Sequence, residues 1–346
     1  MNSLPNLGVR DALTDYKHVA SHIALEGVRA GEPLVTIAIP TFRRPHLLVE
    51  TVRSAMAQAF SRPFEIVVVD NDPESIGAQL LQKALPELRE RQFRYLVNAE
   101  NIGMFGNFNR CVEVANSEWL SILNDDDLLD PEFLQSMFAV LDKDNSIDGI
   151  ICKKRQLDQR AVKGEKPRSL PRRIAARLLT ESNFAGALTR KVNGRKLFWW
   201  PGGVVGNGAG FLFRKQAAVQ IGGFYPEEEM AADYWFFARF ARMFHFRQHR
   251  VTCASVRIAE NESANYSTLL SFLRMTYLLQ QALAQDDVPS RWRRFSPMIM
   301  ARQRAFYRDY WKVDIPDDEV ERMLDIKLPR DRPLLFRIVR LAMRGF

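Results

Sequence analysis

Three consecutive carboxylates, Asp125, Asp126 and Asp127, follow the apolar run SIL and stand between Asn124 and LLDP. Like charges this close repel and raise one another's pKa unless a cation or a set of donors compensates them. Hard oxygen ligands at the end of a buried strand suit Mg²⁺ or Mn²⁺, which take one or two protein carboxylates and fill the remaining positions with water and substrate phosphates. The implied chemistry is metal-assisted handling of a diphosphate. The competing reading is a solvated turn, with Asp130 capping the helix that opens at Pro131.

Further polar groups recur at the ends of apolar runs. Pro40, Thr41, Phe42, Arg43 and Arg44 follow LVTIAI, and Asp70 and Asn71 follow VVV. An acidic residue at such a tip either closes an Asx turn or holds a ribose or base. Asn101, Gly103 and Asn107, with Arg110, offer close backbone approach and donors for phosphates. Asp233 opens the apolar stretch YWFFARFARMF, where it either complements a helix dipole or, in an apolar setting that raises its pKa, acts as a general base.

The elements that must position these groups are short β-branched runs alternating with helical patterns. Leu34–Pro40, the run FEIVVVDND, Phe93–Val97 and Trp119–Leu123 read as strands, with helices over Leu47–Gln58, Ala78–Glu90 and Phe108–Val114. This alternation predicts an α/β fold, a doubly wound and mostly parallel central sheet covered on both faces. Ligands of such sheets bind beyond the carboxyl ends of the strands, where the polar tips collect.

Composition narrows the class. The 346 residues are 47% hydrophobic and 26% charged, as in a globular protein, and Cys111, Cys152 and Cys253 lack metal-ligand spacing and read as reduced core residues of a cytoplasmic protein. Neither a secretion signal nor an apolar run of about 18 residues is found. The net charge of +8 is concentrated in Lys153–Arg177, with ten Lys/Arg against two Asp/Glu, and in Arg291–Phe346, with fourteen against eight. Such patches suggest local contact with phosphate or anionic lipid, not the coating of nucleic acid, since aromatic interleaving is scarce. His18/His22 and His245/His249 lack the HExxH pattern, and no P-loop or GxSxG motif occurs.

Together, VTIAIPTFRRPHLLVETVRSAMAQAF…FEIVVVDNDPES, NAENIGMFGNFNRCVEVANSEWLSILNDDDLLDPEFL and GGFYPEEEMAADYWFFARF resemble the inverting glycosyltransferases of family 2 over roughly residues 34 to 262. The resemblance implies the GT-A nucleotide-diphospho-sugar transferase fold. With the chain's own patterning it gives three expected regions: an N-terminal helical extension (1–33), a GT-A domain (34–265) with a nucleotide-binding half (34–130) and an acceptor half (131–265), and a helical basic C-terminal region (266–346).

By the same resemblance, Pro40, Thr41, Phe42 and Arg43 contact base and ribose, Asp70 and Asn71 hold base and sugar, and Asn101, Gly103 and Asn107 lie near diphosphate or ribose. Asp125 lies beside the donor ribose, Asp126 binds the Mn²⁺ or Mg²⁺ with Asp127 near the metal or donor sugar, and Asp233 is the catalytic base. The partners so implied are a nucleotide-sugar donor, UDP- or dTDP-linked, and a glycan acceptor, lipid-linked in one version. Three positions depart from the pattern: Asn124 for the first Asp of DxD, Ala232 for the Glu before the base, and Ala259 for a His near metal and phosphates.

Two other readings stay open: a nucleotidyltransferase, for which IPTFRRP lacks the usual glycine-rich phosphate loop, and a catalytically degenerate carbohydrate- or nucleotide-binding module. The last helix, LLFRIVRLAMRGF, sets Arg337, Arg340 and Arg344 on one face and Leu334, Ile338, Leu341 and Ala342 on the other. Such a helix either docks on the domain or lies on an anionic membrane, the cytoplasmic inner face being the expected location.

Overall fold

The computed structural model describes residues 7–159, 189–199, 207–258 and 265–344. Ala259 and most of the basic stretch Lys153–Arg177 therefore lie outside the described residues.

The strands are β1 (Ser21–Glu26), β2 (Val35–Thr41), β3 (Phe64–Asp70), β4 (Phe93–Asn98), β5 (Trp119–Ile122), β6 (Leu128–Leu129), β7 (Gly149–Asp158), β8 (Thr189–Lys191), β9 (Phe211–Arg214) and β10 (Phe246–Ile258). They form one mixed sheet in the order β1-β4-β3-β2-β5-β9-β7-β10-β6, with β8 paired to β10. Its centre, β4-β3-β2-β5, is parallel, and β9 enters antiparallel to both β5 and β7.

The centre reads as predominantly apolar sequence because it is buried on both faces. Alternate residues of one strand enter different cores: Ile37, Ile39, Ile66 and Val68 pack on one face, Ala38, Val67 and Val69 on the other. The first face is covered by α1 (Pro45–Met56), α2 (Gly77–Ala84) and α4 (Phe133–Leu141). The second is covered by α3 (Gly103–Val114), α5 (Gly194–Trp199), α6 (Lys215–Gln220), α7 (Ala232–Met243) and the C-terminal helices α8 (Tyr266–Asp286), α9 (Ser296–Phe306), α10 (Asp317–Leu324) and α11 (Pro333–Arg344). This second core is continuous from Leu7 through the sheet to Phe336.

Register brings the tips level. Thr41 pairs with Asp70 across β2 and β3, Asp70 with Val97 across β3 and β4, and Ala38 with Ile122 across β2 and β5. A segment leaving any of these strands enters one shared crevice.

Two local expectations are corrected. The N-terminal extension is not helical among its described residues beyond the single turn Ala12–Thr14; it supplies β1, antiparallel to β4. The exposed edge of β4 provides a hydrogen-bonding ladder that a lone helix would leave unsatisfied. Asp130 does not cap α4, which starts at Phe133 without a side-chain cap; its carboxylate pairs with Arg155 instead.

Candidate active site

The first tip turns sharply after Thr41. Arg43 has φ 57°, a left-handed conformation uncommon for a residue with a side chain. Its Nε donates to Asp72 Oδ2 at 2.9 Å and its guanidinium lies 4.9 Å from the Phe42 ring centre, contacts that fix the turn. The Phe42 ring is left partly exposed at the rim.

At the second and third tips the polar groups hold one another. Asp70 accepts from the Tyr95 hydroxyl at 2.5 Å and from its own turn through Asp72 N–H at 3.0 Å. Asn71 donates to Asn101 Oδ1 at 2.6 Å and to the Gly103 carbonyl at 3.2 Å, and accepts from Asn98 Nδ2 and from Ile102 N–H. Asn98 also reaches Asn107 Oδ1, and Asn107 Nδ2 donates to the Val69 carbonyl at 2.9 Å. The result is an uncharged amide lattice tying β3, β4 and α3 together. Gly103 enters α3 at φ 75°, and a Cβ there would meet nothing within 4 Å, so this flank of the crevice stays open.

The three aspartates divide by partner. Asp125 Oδ2 accepts from Thr41 Oγ1 at 2.7 Å. Asp127 is 1% exposed and accepts from Asn124 Nδ2 at 3.1 Å, Asn207 Nδ2 at 2.7 Å and Arg257 N–H at 3.1 Å. Asp126 meets Arg44 Nη1 at 3.4 Å, the long limit of a hydrogen bond, and the same nitrogen lies 3.5 Å from Asp125. Thr51 steadies the backbone from below, its hydroxyl 2.9 Å from the carbonyls of both Asp125 and Asp127.

Burial dominates the electrostatics. It pushes Asp125 up to about 6 against the opposing pull of Thr41 and Arg44. It pushes Asp127 up to about 7 with help from the Asp126 charge, and raises Asp126 against Arg44. Such a cluster favours any added positive charge. Among the described residues no group of three or more His, Cys, Asp and Glu is arranged to hold a metal by itself. What the cluster offers is one carboxylate, Asp126, whose side-chain partner Arg44 stands off at 3.4 Å, which fits a cation whose other positions come from a diphosphate and water. Asn124 fits the same account: its amide donates to Asp127, where an aspartate would add a further like charge.

Asp233 occupies a different setting. It stands in the first turn of α7 and lines an apolar cleft with Phe108, Ile122, Phe211, Phe224 and Asn124. Phe224 and Phe236 stack there with ring centres 4.2 Å apart. The residue is half-buried, and its carboxylate accepts from Tyr234 N–H at 2.7 Å. Burial raises its pKa to about 7, opposed by that N–H and by the Lys154 charge.

Sequence reasoning placed Arg44 at the first tip without giving it a partner, and it missed Arg257, Lys154 and Asn207, which complete this centre. Arg44 balances Asp125 and Asp126. Arg257 donates to the Asp126 carbonyl through Nε and to Glu50 through Nη2. Lys154 donates to the Asn207 carbonyl, and burial lowers its pKa to about 8 while Asp127 and Asp233 hold it up. Asn207 links that lysine to Asp127. An arginine inside the apolar run of CASVRI was a legible sign of a buried partner; for Lys154 and Asn207 no comparable local signal exists.

Comparison with known proteins gives the family and the fold. The family model described as Glycosyl transferase family 2 matches residues 36–219, more than half of the chain, so the chain belongs to that family. An uncharacterized protein of Mycobacterium tuberculosis, MT1568, is 28% identical over 214 residues, 60% of this chain and 62% of that protein, so the chain spans less than two thirds of its length. Among solved structures, Staphylococcus aureus TarS 1-349 in complex with UDP-GlcNAc aligns with a TM-score of 0.54 at 17% identity, covering 80% of this chain and 73% of that one. The mannosyltransferase PcManGT of Pyrobaculum calidifontis, in complex with GDP-Man and Mn²⁺, aligns with a TM-score of 0.51 at 17% identity, covering 94% and 78%. The fold is the GT-A fold.

Proposed function

We propose that the protein is an inverting glycosyltransferase that moves a sugar from a nucleotide-diphosphate donor to the hydroxyl of a glycan. The observation that carries this reading is the placement of Asp233, with a pKa near neutrality, in an apolar cleft that also contains Asn124 at the tip of the donor crevice. A carboxylate of that kind can take the proton of an acceptor hydroxyl at physiological pH. The freed oxygen attacks the anomeric carbon from the face opposite the diphosphate, whose C–O bond breaks with its electron pair passing to phosphate oxygen. The configuration at that carbon inverts.

The remaining residues bind and orient. Pro40, Thr41, Phe42, Arg43, Asp70 and Asn71 would line the base and ribose site, with Asn101, Gly103 and Asn107 fixing the flank beside the diphosphate. Asp125 would face the ribose, and Asp126 would be the protein's ligand to Mn²⁺ or Mg²⁺, with Asp127 shaping the loop from beneath. When bound, the cation neutralises phosphate charge. Arg44 would lend its guanidinium to the same end. The donor is proposed to be a UDP- or dTDP-sugar and the acceptor lipid-linked, which would set the protein peripherally at the cytoplasmic face of a membrane.

A thermal-shift series with UDP-, dTDP- and GDP-sugars, each with and without Mn²⁺, tests the reading. A ligand bound by the folded state alone raises the melting temperature. The expected result is a rise with one donor class, larger with Mn²⁺ and reduced in Asp126→Ala. No rise with any nucleotide sugar, together with unchanged transfer activity in Asp126→Ala, would sink it.

A further inference from the structure

Helix α11 is amphipathic, and it sits on the protein by its narrower apolar side. Phe336 is buried, its ring 6.1 Å from that of Trp199, and Val339 packs beside it against the core. The larger apolar residues point outward: Leu334 is 72% exposed, Leu341 69%, Ile338 55% and Leu335 43%. Spacings of four and three residues align Leu334, Ile338 and Leu341 along one stripe. No other helix among the described residues leaves four large apolar side chains so exposed.

Charge accompanies the stripe. Between Lys327 and Arg344 the chain carries Lys327, Arg330, Arg332, Arg337, Arg340 and Arg344 against one acid, Asp331, and that acid is paired with Arg302 at 2.7 Å. Arg330, Arg332 and Arg337 are exposed. No helix of the described residues is long and apolar enough to cross a membrane, so any membrane contact by this element runs along the surface.

We propose that the outward face of α11 docks on an anionic lipid surface, with Leu334, Ile338 and Leu341 entering the headgroup boundary and Arg330, Arg332 and Arg337 meeting lipid phosphates. Apolar burial and charge attraction act together in such interfacial helices. A second copy of the chain is the poorer occupant, because a twofold contact through this face sets its arginines against themselves. The inference deepens the proposed function by supplying the contact that a lipid-linked acceptor requires, and it rests on that reading for its purpose.

Co-sedimentation of the full chain with vesicles tests it. Vesicles of phosphatidylcholine mixed with phosphatidylglycerol should retain the protein at least about tenfold better than phosphatidylcholine alone, and retention should fall as salt screens the charges. Leu334→Ser with Ile338→Ser, both exposed and so tolerated by the fold, should weaken retention by about tenfold or more. Arg337→Glu should weaken it on anionic vesicles. Equal retention on both vesicle types, no retention on either, or a dimer that dissociates in the serine variant overturns the proposal. Asp233→Asn should sediment like the unaltered protein, so transfer without vesicle binding and vesicle binding without transfer distinguish the failure of this inference from that of the proposed function.

Discussion

The strand-tip crevice and the Asp233 cleft are both buried and polar at one point, yet they treat a carboxylate in opposite ways. In the crevice, Asp70 and Asp127 have their oxygens taken up by Tyr95, Asn124, Asn207 and backbone N–H groups. In the cleft, Asp233 takes no side-chain donor among the described residues: it accepts from backbone N–H groups, Tyr234's among them, amid a ring of phenylalanines and near the Lys154 charge. Burial raises the pKa of Asp127 and of Asp233 alike to about 7; what differs is that side-chain donors occupy the oxygens of Asp127, whereas Asp233 faces an apolar cleft. The difference lies in the neighbours, not in the residue type.

The sharpest way to break the contrast is Asp233→Asn. Turnover should fall by about 10² to 10⁴-fold, while nucleotide-sugar binding measured by thermal shift stays intact. The same variant should be more stable than the parent at pH 8. With its pKa raised to about 7, the folded chain retains a proton that the unfolded chain releases above the ordinary carboxylate value, so stability falls as pH rises through that window. A gain of about 2 °C or more is expected, and a lower melting temperature would count against the under-solvated state of this carboxylate.

Asp127→Ala should do the reverse. Removing it leaves the donors of Asn124, Asn207 and Arg257 without their acceptor, costing about 1–3 kcal/mol in denaturant unfolding. A milder change is Lys154→Gln, which removes the cation beside Asp233. Turnover of the unaltered protein should rise with pH through about 7 as the base deprotonates, and in the variant this limb should move up by about one pH unit. The smallest effect belongs to Asn124→Asp. It should weaken donor binding by about two- to fivefold without metal and recover or exceed the original affinity with Mn²⁺, as read by calorimetry.

The central sheet was legible because VTIAIP and FEIVVVD are dominated by β-branched apolar residues on both faces, as a two-sided parallel sheet requires, and because polar groups at four tips converge once the strands are level. Asp125, Asp126 and Asp233 drew attention in the sequence by residue type and position, and the structure sets the first two at the strand tips and the third in the apolar cleft. What escaped the sequence is long-range pairing. Arg257 reaches Asp127 because β10 pairs with β6 and β7, and Lys154 stands beside Asn207 because β7 pairs with β9. The apolar run around Arg257 hints at a buried partner without saying which, and Lys154 and Asn207 carry no local pattern at all. The strand at Ser21–Glu26 escaped for the same reason: SHIALE alternates too weakly to signal a strand without the free edge of β4 beside it.

The core that runs unbroken from Leu7 to Phe336 has a consequence for how this molecule can change. A chain cut after residue 265 would uncover the side of Trp235 and Trp199 on which α8 and α11 now rest, and it should aggregate instead of folding as a smaller transferase. The C-terminal helices are therefore not an exchangeable cassette; they and the sheet they cover are inherited together or lost together.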